Sequence, residues 1–411
     1  MLSYFCGLWF CSKRFIFEGG IIISSIEQKI GDLTYKSPFV IGSSPLTDKV
    51  DFIKQAEDNG AGAVSTKLTM LVQPVKGLRK MYCEKGYYTF NPSDKRNYFE
   101  EGLELVRKAR DATNLVIWAN IAGPGGDTEG WAKIGKAMEQ AGADVLELNF
   151  VCPNMGTTPD GGVLVGAGVG KNPELCRLVT SEVKKAVNIP VYPKVSCEVL
   201  DVVEVYQAVE QGNADGIVIN GTFTGAPPID IYNRGGIKMK GLTRCSYGGI
   251  NGHGNKPLSN RLIGLCAQNT NLTIAGGGGI SDWSDAVENI MFGATYTTIC
   301  SKIIAEGFSY LKVLNSGLLK FMDENGFETL ADMRGLALKN ICETRELHEY
   351  NITAAPQFDH DKCIGCGSCE KLGCCNAIEL REKKACLISE DKCQHCNLCA
   401  AVCPKGAISF Q

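Results

Sequence analysis

The 411-residue sequence contains no apolar run of the roughly 18 residues that a membrane-spanning helix requires. It also lacks an excess of charge of either sign, because 42 lysines and arginines are balanced by 45 aspartates and glutamates, for a formal net charge of −3. No global basic field is therefore present to hold a phosphate backbone. We expect a protein with no nucleic-acid partner and no stable membrane insertion.

An export pattern is also missing from the first residues. The apolar opening Met1–Phe17 is interrupted by Lys13 and Arg14, and no small-residue cleavage site follows it. We therefore expect a cytoplasmic protein whose thiols are reduced. A short amphipathic membrane contact near Phe5 and Trp9 is the alternative.

The sequence lacks a G-x-G-x-x-G segment that opens a helix directly after a strand, so no nicotinamide site is expected in this chain. Proline is sparse at 15 residues, whereas 47 glycines and 44% hydrophobic residues indicate a glycine-rich globular protein. This composition excludes bulk disorder and collagen-like repeats. The length allows two or three domains.

A pattern of strand, turn and amphipathic helix repeats between Phe39 and Phe308. The predicted strands are Phe39–Gly42, Ala63–Thr66, Leu115–Asn120, Val145–Asn149, Pro190–Lys194, Gly216–Asn220, Thr273–Gly276 and Thr295–Thr298. Eight such units over about 270 residues indicate an α/β fold, a (β/α)8 TIM barrel, rather than an open doubly wound sheet.

Polar residues collect just after the predicted strands, where barrel enzymes place their chemistry. The glycines 276–279 and the Cys300-Ser301 pair follow the seventh and eighth strands, where barrels bind phosphate, so we expect a phosphate-bearing cofactor. The other candidates are Ser43, Ser44, Lys67, Asn120, Asn149, Cys152, Lys194, Asn220 and Thr222.

Two long stretches, Met70–Pro92 and Phe223–Pro257, show no regular elements and are predicted to be lids or binding loops. Residues Leu330–Leu347 are predicted to be helical and to lead into a polar joint. The expected organisation is an N-terminal extension over residues 1–25, the barrel over 26–347, a linker over 348–357 and a small α+β domain over 358–411.

Ten of the 20 cysteines lie in the last part of the chain, between Cys363 and Cys403. They include two C-x2-C-x2-C runs, and the second run is followed by Cys403-Pro404. This is the bacterial ferredoxin pattern for two [4Fe–4S] clusters, in which the fourth cysteine of one run binds the other cluster. The predicted ligands are Cys363, Cys366, Cys369 and Cys403 for one cluster, and Cys374, Cys393, Cys396 and Cys399 for the other.

The fourth ligand of the second cluster departs from the ferredoxin spacing. The expected position is Gly373, and Cys374 and Cys375 follow it, so Cys374 is preferred and Cys375 is the alternative. Zinc is a competing interpretation of paired C-x2-C motifs, but two three-cysteine runs fit it poorly. Cys386, in a predicted hairpin strand, is expected to be buried and not a ligand. Since clusters carry single electrons, the barrel should hold FMN, which exchanges both hydride and single electrons.

The segment Asn149-Phe-Val-Cys-Pro-Asn154 resembles the NxSCPN/H motif of the dihydroorotate and dihydropyrimidine dehydrogenase superfamily. The resemblance covers roughly Ile26 to Gln411, and the order of barrel and ferredoxin domain is similar to the carboxyl-terminal half of dihydropyrimidine dehydrogenase and to the smaller subunit of its bacterial two-subunit relatives. Further matching segments are Ser65-Thr-Lys67, Tyr192-Pro-Lys194, Ile219-Asn220, Tyr247-Gly-Gly249 and Ile299-Cys-Ser301.

The resemblance implies a role for most of the strand-end residues. Cys152 would exchange a proton with the substrate, and Asn91, Asn149, Asn220 and Thr222 would contact the substrate ring. The FMN-binding residues would be Lys67, Asn120, Lys194, Asn220, Gly249, Gly277, Gly278, Gly279, Cys300 and Ser301, to which we add Ser43 and Ser44 from their position after the first strand.

The chemistry of the residues is consistent with these roles. Reduction of a C=C bond conjugated to a carbonyl requires hydride from flavin N5 at one carbon and a proton at its neighbour. A thiol with a reference pKa near ~8.5, such as Cys152, is a suitable general acid. Lys194 is predicted to be catalytic as well, because a cation beside the flavin stabilises its reduced anionic form.

The substrate-reading segment departs from that of the dihydropyrimidine dehydrogenases, where an N-x-E motif reads the pyrimidine edge. This chain has Asn91-Pro-Ser93-Asp-Lys95, with Ser93 in place of the glutamate, and a glycine separates Asn220 from Thr222. The loss of a carboxylate that accepts a ring N–H would cost uracil recognition about 1–3 kcal/mol. The substrate is therefore expected to be a pyrimidine or another small conjugated compound. In the alternative, Pro92 reroutes this loop so that Asp94 takes the place of the glutamate, and uracil remains a good substrate.

Two alternatives are compatible with the same sequence. In the first, the ring is dihydroorotate, and its carboxylate meets Arg79, Lys80 or the loop residues Arg234, Lys238, Lys240 and Arg244. In the second, the chain is a non-catalytic electron-transfer subunit. The expected electron partner is a ferredoxin or an NAD(P)H-oxidising flavoprotein subunit, and a homo-oligomer or hetero-oligomer is expected.

Overall fold

The computed structural model describes residues 24–71, 73, 77–84, 87–152, 164–350 and 354–410. The predicted N-terminal extension lies outside the described residues except for Ser24 and Ser25, and so do residues 351–353 of the predicted linker. The described residues form two compact units, one that ends at Lys339 and one that begins at Asn340. None of the helices in these ranges is both long and apolar enough to span a membrane.

The larger unit is a closed barrel of eight parallel strands. Each strand lies within two residues of its predicted bounds, which confirms the (β/α)8 prediction. The strands are β1 Phe39–Ile41, β2 Ala63–Ser65, β3 Val116–Ala122, β4 Val145–Asn149, β5 Val191–Val195, β6 Gly216–Asn220, β7 Thr273–Gly277 and β8 Tyr296–Ile299.

Every barrel strand pairs with its neighbours in chain order, and β8 pairs with β1 to close the sheet. The register places Asn149 beside Lys194 and Asn220 beside Gly277, so the polar residues that end these strands face one end of the barrel.

Amphipathic helices surround the barrel, and several begin at side chains that accept a backbone N–H. Asp127 accepts from Gly130, and Asn172 accepts from Leu175 just before Pro173. The helices are α1 Val50–Asp58, α2 Phe99–Ala112, α3 Thr128–Gln140, α4 Pro173–Ala186, α5 Val202–Gln211, α6 Lys256–Asn269, α7 Trp283–Met291 and α8 Tyr310–Asn325, with shorter helical segments at Ala167–Gly170, Ser301–Glu306 and Leu330–Met333.

The inside of the barrel is filled by large side chains from the first and middle residues of the strands. The Trp118 ring packs edge-on against Tyr192 and Tyr296, at centroid distances of 5.2 and 5.4 Å. A hairpin of Gln28–Ile30 and Leu33–Tyr35 contributes Tyr35 to the same cluster. The polar chemistry is thereby restricted to the carboxyl ends of the strands.

The two stretches predicted to lack regular elements contain a four-stranded antiparallel sheet, so this prediction is wrong. Its central pairing, between Tyr88–Ser93 and Gly248–Asn251, joins segments more than 150 residues apart in sequence, and local periodicity does not reveal such pairing. In spatial order the strands are Phe223–Gly225, Gly248–Asn251, Tyr88–Ser93 and Lys80–Glu84. A two-stranded hairpin, Ile229–Asp230 with Gly236–Ile237, lies in the second stretch.

The predicted helix over Leu330–Leu347 is also wrong in its extent. It ends at Met333, because Arg334 adopts an extended ψ of 125° and the N–H of Gly335 donates to the carbonyl of Ile290. Two 3-10 segments follow, Leu338–Asn340 and Thr344–Tyr350.

The smaller unit consists mainly of the cysteine-containing segments and has little regular secondary structure. Ile378–Arg381 and Lys384–Leu387 form the predicted hairpin, which contains Cys386. Gln357–Phe358 pairs with Ile408–Ser409, and Leu398–Ala401 is a single helical turn. Its apolar cluster is small and is built around Ile378, Ala385, Cys399 and Ile408.

Candidate functional site

A cavity of about 230 Å³ opens at the carboxyl ends of the barrel strands. Asn120 and Gly277, two of the predicted flavin contacts, lie outside its lining. The other barrel residues predicted from the sequence line it together: Ser43, Ser44, Lys67, Asn91, Asn149, Cys152, Lys194, Asn220, Thr222, Gly249, Gly278, Gly279, Cys300 and Ser301.

Asn120 is fully buried and belongs to a chain of polar contacts behind the cavity. Nζ of Lys194 lies 3.1 Å from Oε1 of Glu147, and Nδ2 of Asn120 donates to the same oxygen at 2.7 Å. Oδ1 of Asn120 in turn accepts from Nδ2 of Asn149 at 3.1 Å. The Lys194 ammonium is thus held in place by a carboxylate that is itself hydrogen-bonded.

Asn149 positions the turn that carries the candidate proton donor. Its Oδ1 accepts the backbone N–H groups of Val151, at 3.2 Å, and of Cys152, at 3.1 Å. The Oδ1 atom and one amide hydrogen of Asn149 therefore already have hydrogen-bond partners within the protein. The geometry makes Asn149 a residue that orients Cys152, in addition to any contact with substrate.

Two cations hold Asp94 at the edge of the cavity. Nζ of Lys67 forms an ion pair with Oδ2 of Asp94, and Nε of Arg79 lies 3.0 Å from Oδ1. Burial alone would raise the pKa of Asp94, but Lys67 and Arg79 outweigh it and the pKa is lowered. Asp94 is thus an ionised partner of Lys67, and both of its oxygens have partners.

Arg96 is a buried cation in the same cavity, with 5% of its surface exposed. Its Nη2 donates to Sγ of Cys152 at 3.8 Å. Within the part of the chain that the structure describes, its Nε and Nη1 have no hydrogen-bond partner. Oδ1 of Asn91, which lines the cavity too, is likewise buried without a partner among the described residues.

Thr222 and Asn220 are linked to a residue that the sequence did not reveal. Oγ1 of Thr222 lies 3.0 Å from Oδ1 of Asn220 and 2.5 Å from Oδ1 of Asn251. Asn251 belongs to the unpredicted antiparallel sheet and lines the cavity.

The other residues that sequence reasoning missed are Glu147 and Arg96. A signal existed for Glu147, because it is the single charged residue in the otherwise uncharged strand Val145–Asn149. No comparable signal exists for Arg96, since charged residues in a loop are usually solvated. Asp94, the alternative to Ser93 in the substrate-reading segment, does line the cavity, where it is paired with Lys67.

The far side of the cavity has the backbone shape that a phosphate requires. Gly278 and Gly279 have positive φ angles of 105° and 90°. A Cβ atom on Gly278 would lie 2.5 Å from Oγ of Ser259, and one on Gly279 would lie 2.4 Å from the backbone nitrogen of Lys256. Only glycine fits there, so backbone rather than side chains lines this wall, as in phosphate-binding loops.

Cys300 and Ser301 complete this wall of the cavity. Burial raises the pKa of the Cys300 thiol, although Ser44 and Lys194 oppose the shift. The site therefore combines a glycine-lined wall, a neutral thiol and the two lysines, Lys67 and Lys194, and this set of groups fits a phosphate-bearing flavin.

The cysteines of the smaller unit surround two small cavities. Among the described residues no three His, Cys, Asp or Glu side chains are placed to hold a single metal ion. Cys386 lines neither cavity. One is lined by Cys363, Cys366, Cys369 and Cys403, and the other by Cys369, Cys374, Cys375, Cys393, Cys396 and Cys399.

The cysteines that line each cavity agree with the ferredoxin pattern expected from the sequence, in which Cys403 lies with the first cysteine run. Sγ of Cys403 accepts the N–H of Ala407 at 3.2 Å. Cys374 and Cys375 both line the second cavity, so the choice of Cys374 as the fourth ligand stays a prediction.

Two family models match the chain. The model for dihydroorotate dehydrogenase matches residues 25–322, and the model for a 4Fe-4S binding domain matches residues 387–409. The second match spans the second cysteine run and Cys403.

The chain is also similar to proteins of known activity. It is 30% identical over 398 residues to the NAD-dependent dihydropyrimidine dehydrogenase subunit PreA of Escherichia coli K12, over 92% of this chain and 93% of that protein. It is 30% identical over 318 residues to the catalytic subunit of dihydroorotate dehydrogenase B (NAD(+)) of Thermoplasma volcanium, over 77% of this chain and 100% of that protein.

A solved structure shares the barrel fold. The crystal structure of DHODH from Eimeria tenella in complex with ferulenol matches with a TM-score of 0.60 and 17% identity, over 76% of this chain and 88% of that chain. At this identity the match shows the fold alone.

Proposed function

Because the chain belongs to the dihydroorotate dehydrogenase family and is an oxidoreductase that acts on CH–CH bonds, we propose that it uses FMN and two [4Fe–4S] clusters to reduce or oxidise a carbon–carbon bond conjugated to a carbonyl. The observation that carries this proposal is the single cavity that contains Cys152, Lys67, Lys194 and the glycine-lined wall.

FMN, when bound, supplies hydride transfer and exchange of single electrons with the clusters. Gly278, Gly279 and Ser301 would hold its phosphate, and Lys67 and Lys194 would lie along its ring. Support for two clusters comes from the two cysteine-lined cavities of the smaller unit.

Cys152 is the proton donor in the proposed reaction, or the proton acceptor when the bond is oxidised. Its backbone is fixed by Asn149, and its Sγ faces the cavity within reach of Arg96. Thr222 and Asn220 orient the substrate from the carboxyl end of a different strand, β6. The thiol transfers its proton to the carbon next to the one that receives hydride, as a general acid.

We propose that electrons enter or leave through the smaller unit, by way of a ferredoxin or an NAD(P)H-oxidising flavoprotein subunit. The similarity to a protein named as a subunit supports this partner. We also propose a cytoplasmic location, as the sequence led us to expect. The proposed domain organisation is the one given above, with the barrel over residues 26–347 and the cluster domain over 358–411.

The proposal is tested by anaerobic analysis of the purified protein, which should contain about one FMN and about eight iron atoms per chain. Reduction with reduced ferredoxin should bleach the flavin, and an oxidised substrate from a panel of uracil, orotate and simple enoates should restore its colour. NADH or NADPH alone should bleach it only slowly. Zinc in place of iron, absence of FMN, or fast bleaching by either nucleotide would contradict the corresponding part of the proposal.

The structure bears on whether uracil is a good substrate. The only carboxylate near Ser93 in the described loop is that of Asp94, and Lys67 and Arg79 occupy both of its oxygens. Oγ of Ser93 itself accepts the N–H of Leu78 at 3.2 Å. This arrangement favours a substrate other than uracil, because Asp94, the one carboxylate among the described residues that line the cavity, already has partners on both oxygens.

We therefore expect the substitution Ser93→Glu to raise kcat/KM for uracil by about tenfold to a hundredfold, since it restores one buried acceptor. Steady-state kinetics on uracil with the wild type, Ser93→Glu and Asp94→Ala measure this effect. Efficient wild-type uracil turnover that collapses in Asp94→Ala would instead assign ring recognition to Asp94.

A further inference from the structure

Arg96 lines the cavity beside Cys152, yet no group described so far uses its charge. It is 5% exposed, and its Nη2 donates to Sγ of Cys152 at 3.8 Å. Its Nε and Nη1 lack partners among the described residues. A guanidinium has five N–H donors, so most of its hydrogen-bonding capacity is unused.

The acidic groups of the cavity are committed to other cations. Asp94 pairs with Lys67 and Arg79, and Glu147 pairs with Lys194. Within the described ranges, Arg96 forms no ion pair with any carboxylate. A buried charge without a counter-charge is costly, and proteins that keep one usually pair it with an ion or ligand.

The geometry points to Arg96 as the binding site for a carboxylate of the substrate, next to Cys152. This inference rests on the proposed function of the same cavity and deepens it by naming the substrate class. A planar guanidinium is the side chain best suited to a planar carboxylate, because its donors lie in one plane.

Asn91 adds a second requirement. Its Oδ1 is buried in the same cavity and has no partner among the described residues, so it is available to accept an N–H or O–H of the ligand. The substrate class is therefore a small conjugated compound that carries both a carboxylate and a hydrogen-bond donor.

The inference can be tested through the reactivity of the Cys152 thiol, without turnover. Iodoacetate and iodoacetamide alkylate a thiol by the same displacement, in which the S–C bond forms and iodide leaves, but only iodoacetate carries a carboxylate. The ratio of their rates at one thiol cancels the intrinsic reactivity of that thiol. It therefore reports whether a cation near Cys152 binds the carboxylate of the reagent.

The rates are measured on the anaerobic holoprotein by peptide mass spectrometry. Trypsin releases Cys152 in the segment from Ala137 to Lys171, which contains no other cysteine. We expect Arg96→Gln to lower the iodoacetate-to-iodoacetamide rate ratio by about tenfold, because it removes a charge within a few ångströms of the reacting sulfur. Arg96→Lys keeps the charge and should retain most of the ratio.

Lys108→Gln is the matched control, since it removes the same charge from an exposed side chain of α2 that lies outside the cavity lining. Its ratio should stay within about twofold of wild type because the charge is screened by solvent. An unchanged ratio in Arg96→Gln, or an equal fall in Lys108→Gln, would overturn the inference. FMN content and the visible spectrum establish that each variant is folded, and Arg96→Lys supplies the comparison if Arg96→Gln is not.

The same preparations separate this inference from the proposed function. If the wild type contains no FMN or turns over no substrate of the panel, the proposed function fails, and the alkylation ratio still decides the role of Arg96. If turnover is found but the ratio does not depend on Arg96, the function stands and the carboxylate assignment fails.

Discussion

Substitution of Cys152 by alanine should slow substrate turnover by about 10²–10⁴-fold, the usual contribution of a general acid, while FMN content stays at the wild-type level. Turnover should fall without loss of FMN because the thiol and the residues proposed to hold FMN lie in different segments of the chain. Cys152 lies at the mouth of the cavity on a turn fixed by Asn149, whereas the glycine-lined wall proposed for the phosphate belongs to the segment after β7.

The matched control is Cys176→Ala, at a buried thiol on α4 that donates to the carbonyl of Val169 at 3.4 Å and lies outside the cavity lining. Its turnover should stay within a few-fold of wild type, since loss of one buried sulfur costs stability rather than chemistry. Stopped-flow measurement of flavin reoxidation by substrate compares the two variants directly. A Cys152 variant that reoxidises as fast as the control would show that another group delivers the proton.

The barrel was predictable from the sequence because each of its strands is a short, nearly continuous apolar run. Strands such as Val145–Asn149 and Gly216–Asn220 are buried on both faces of the sheet, and parallel strands between helices require this composition. Their polar last residues then had to gather at one end of the barrel. The sequence alone therefore predicts that Lys67, Asn149 and Lys194 lie close together, and all three line the cavity.

The remaining part of the site depends on pairing between distant segments, which a local pattern does not encode. Tyr88–Ser93 pairs with Gly248–Asn251, and this pairing sets the path of the chain just before Asp94 and Arg96. Whether a loop arginine is solvated or buried depends on that path. The sequence therefore predicted the strand ends well but did not reveal that Arg96 is buried in the cavity.

The second large effect concerns the iron content of the smaller unit. Cys403→Ala should lower iron from about eight to about four atoms per chain, because it removes one ligand of one four-iron cluster. Cys386→Ala is the matched control in the same unit, since Cys386 lies in the hairpin and lines neither cavity. Iron and acid-labile sulfide analysis under anaerobic conditions should find about eight iron atoms in the control.

Double variants then determine which run Cys403 joins. The structure groups Cys403 with Cys363, and Cys393 lies in the other set. If each set holds one cluster, adding Cys363→Ala to Cys403→Ala removes no further iron, because both residues serve the same cluster. Adding Cys393→Ala to Cys403→Ala should remove the remaining four or so atoms. The reverse result, full loss with Cys363 and no further loss with Cys393, would mean that each run supplies all four ligands of its own cluster.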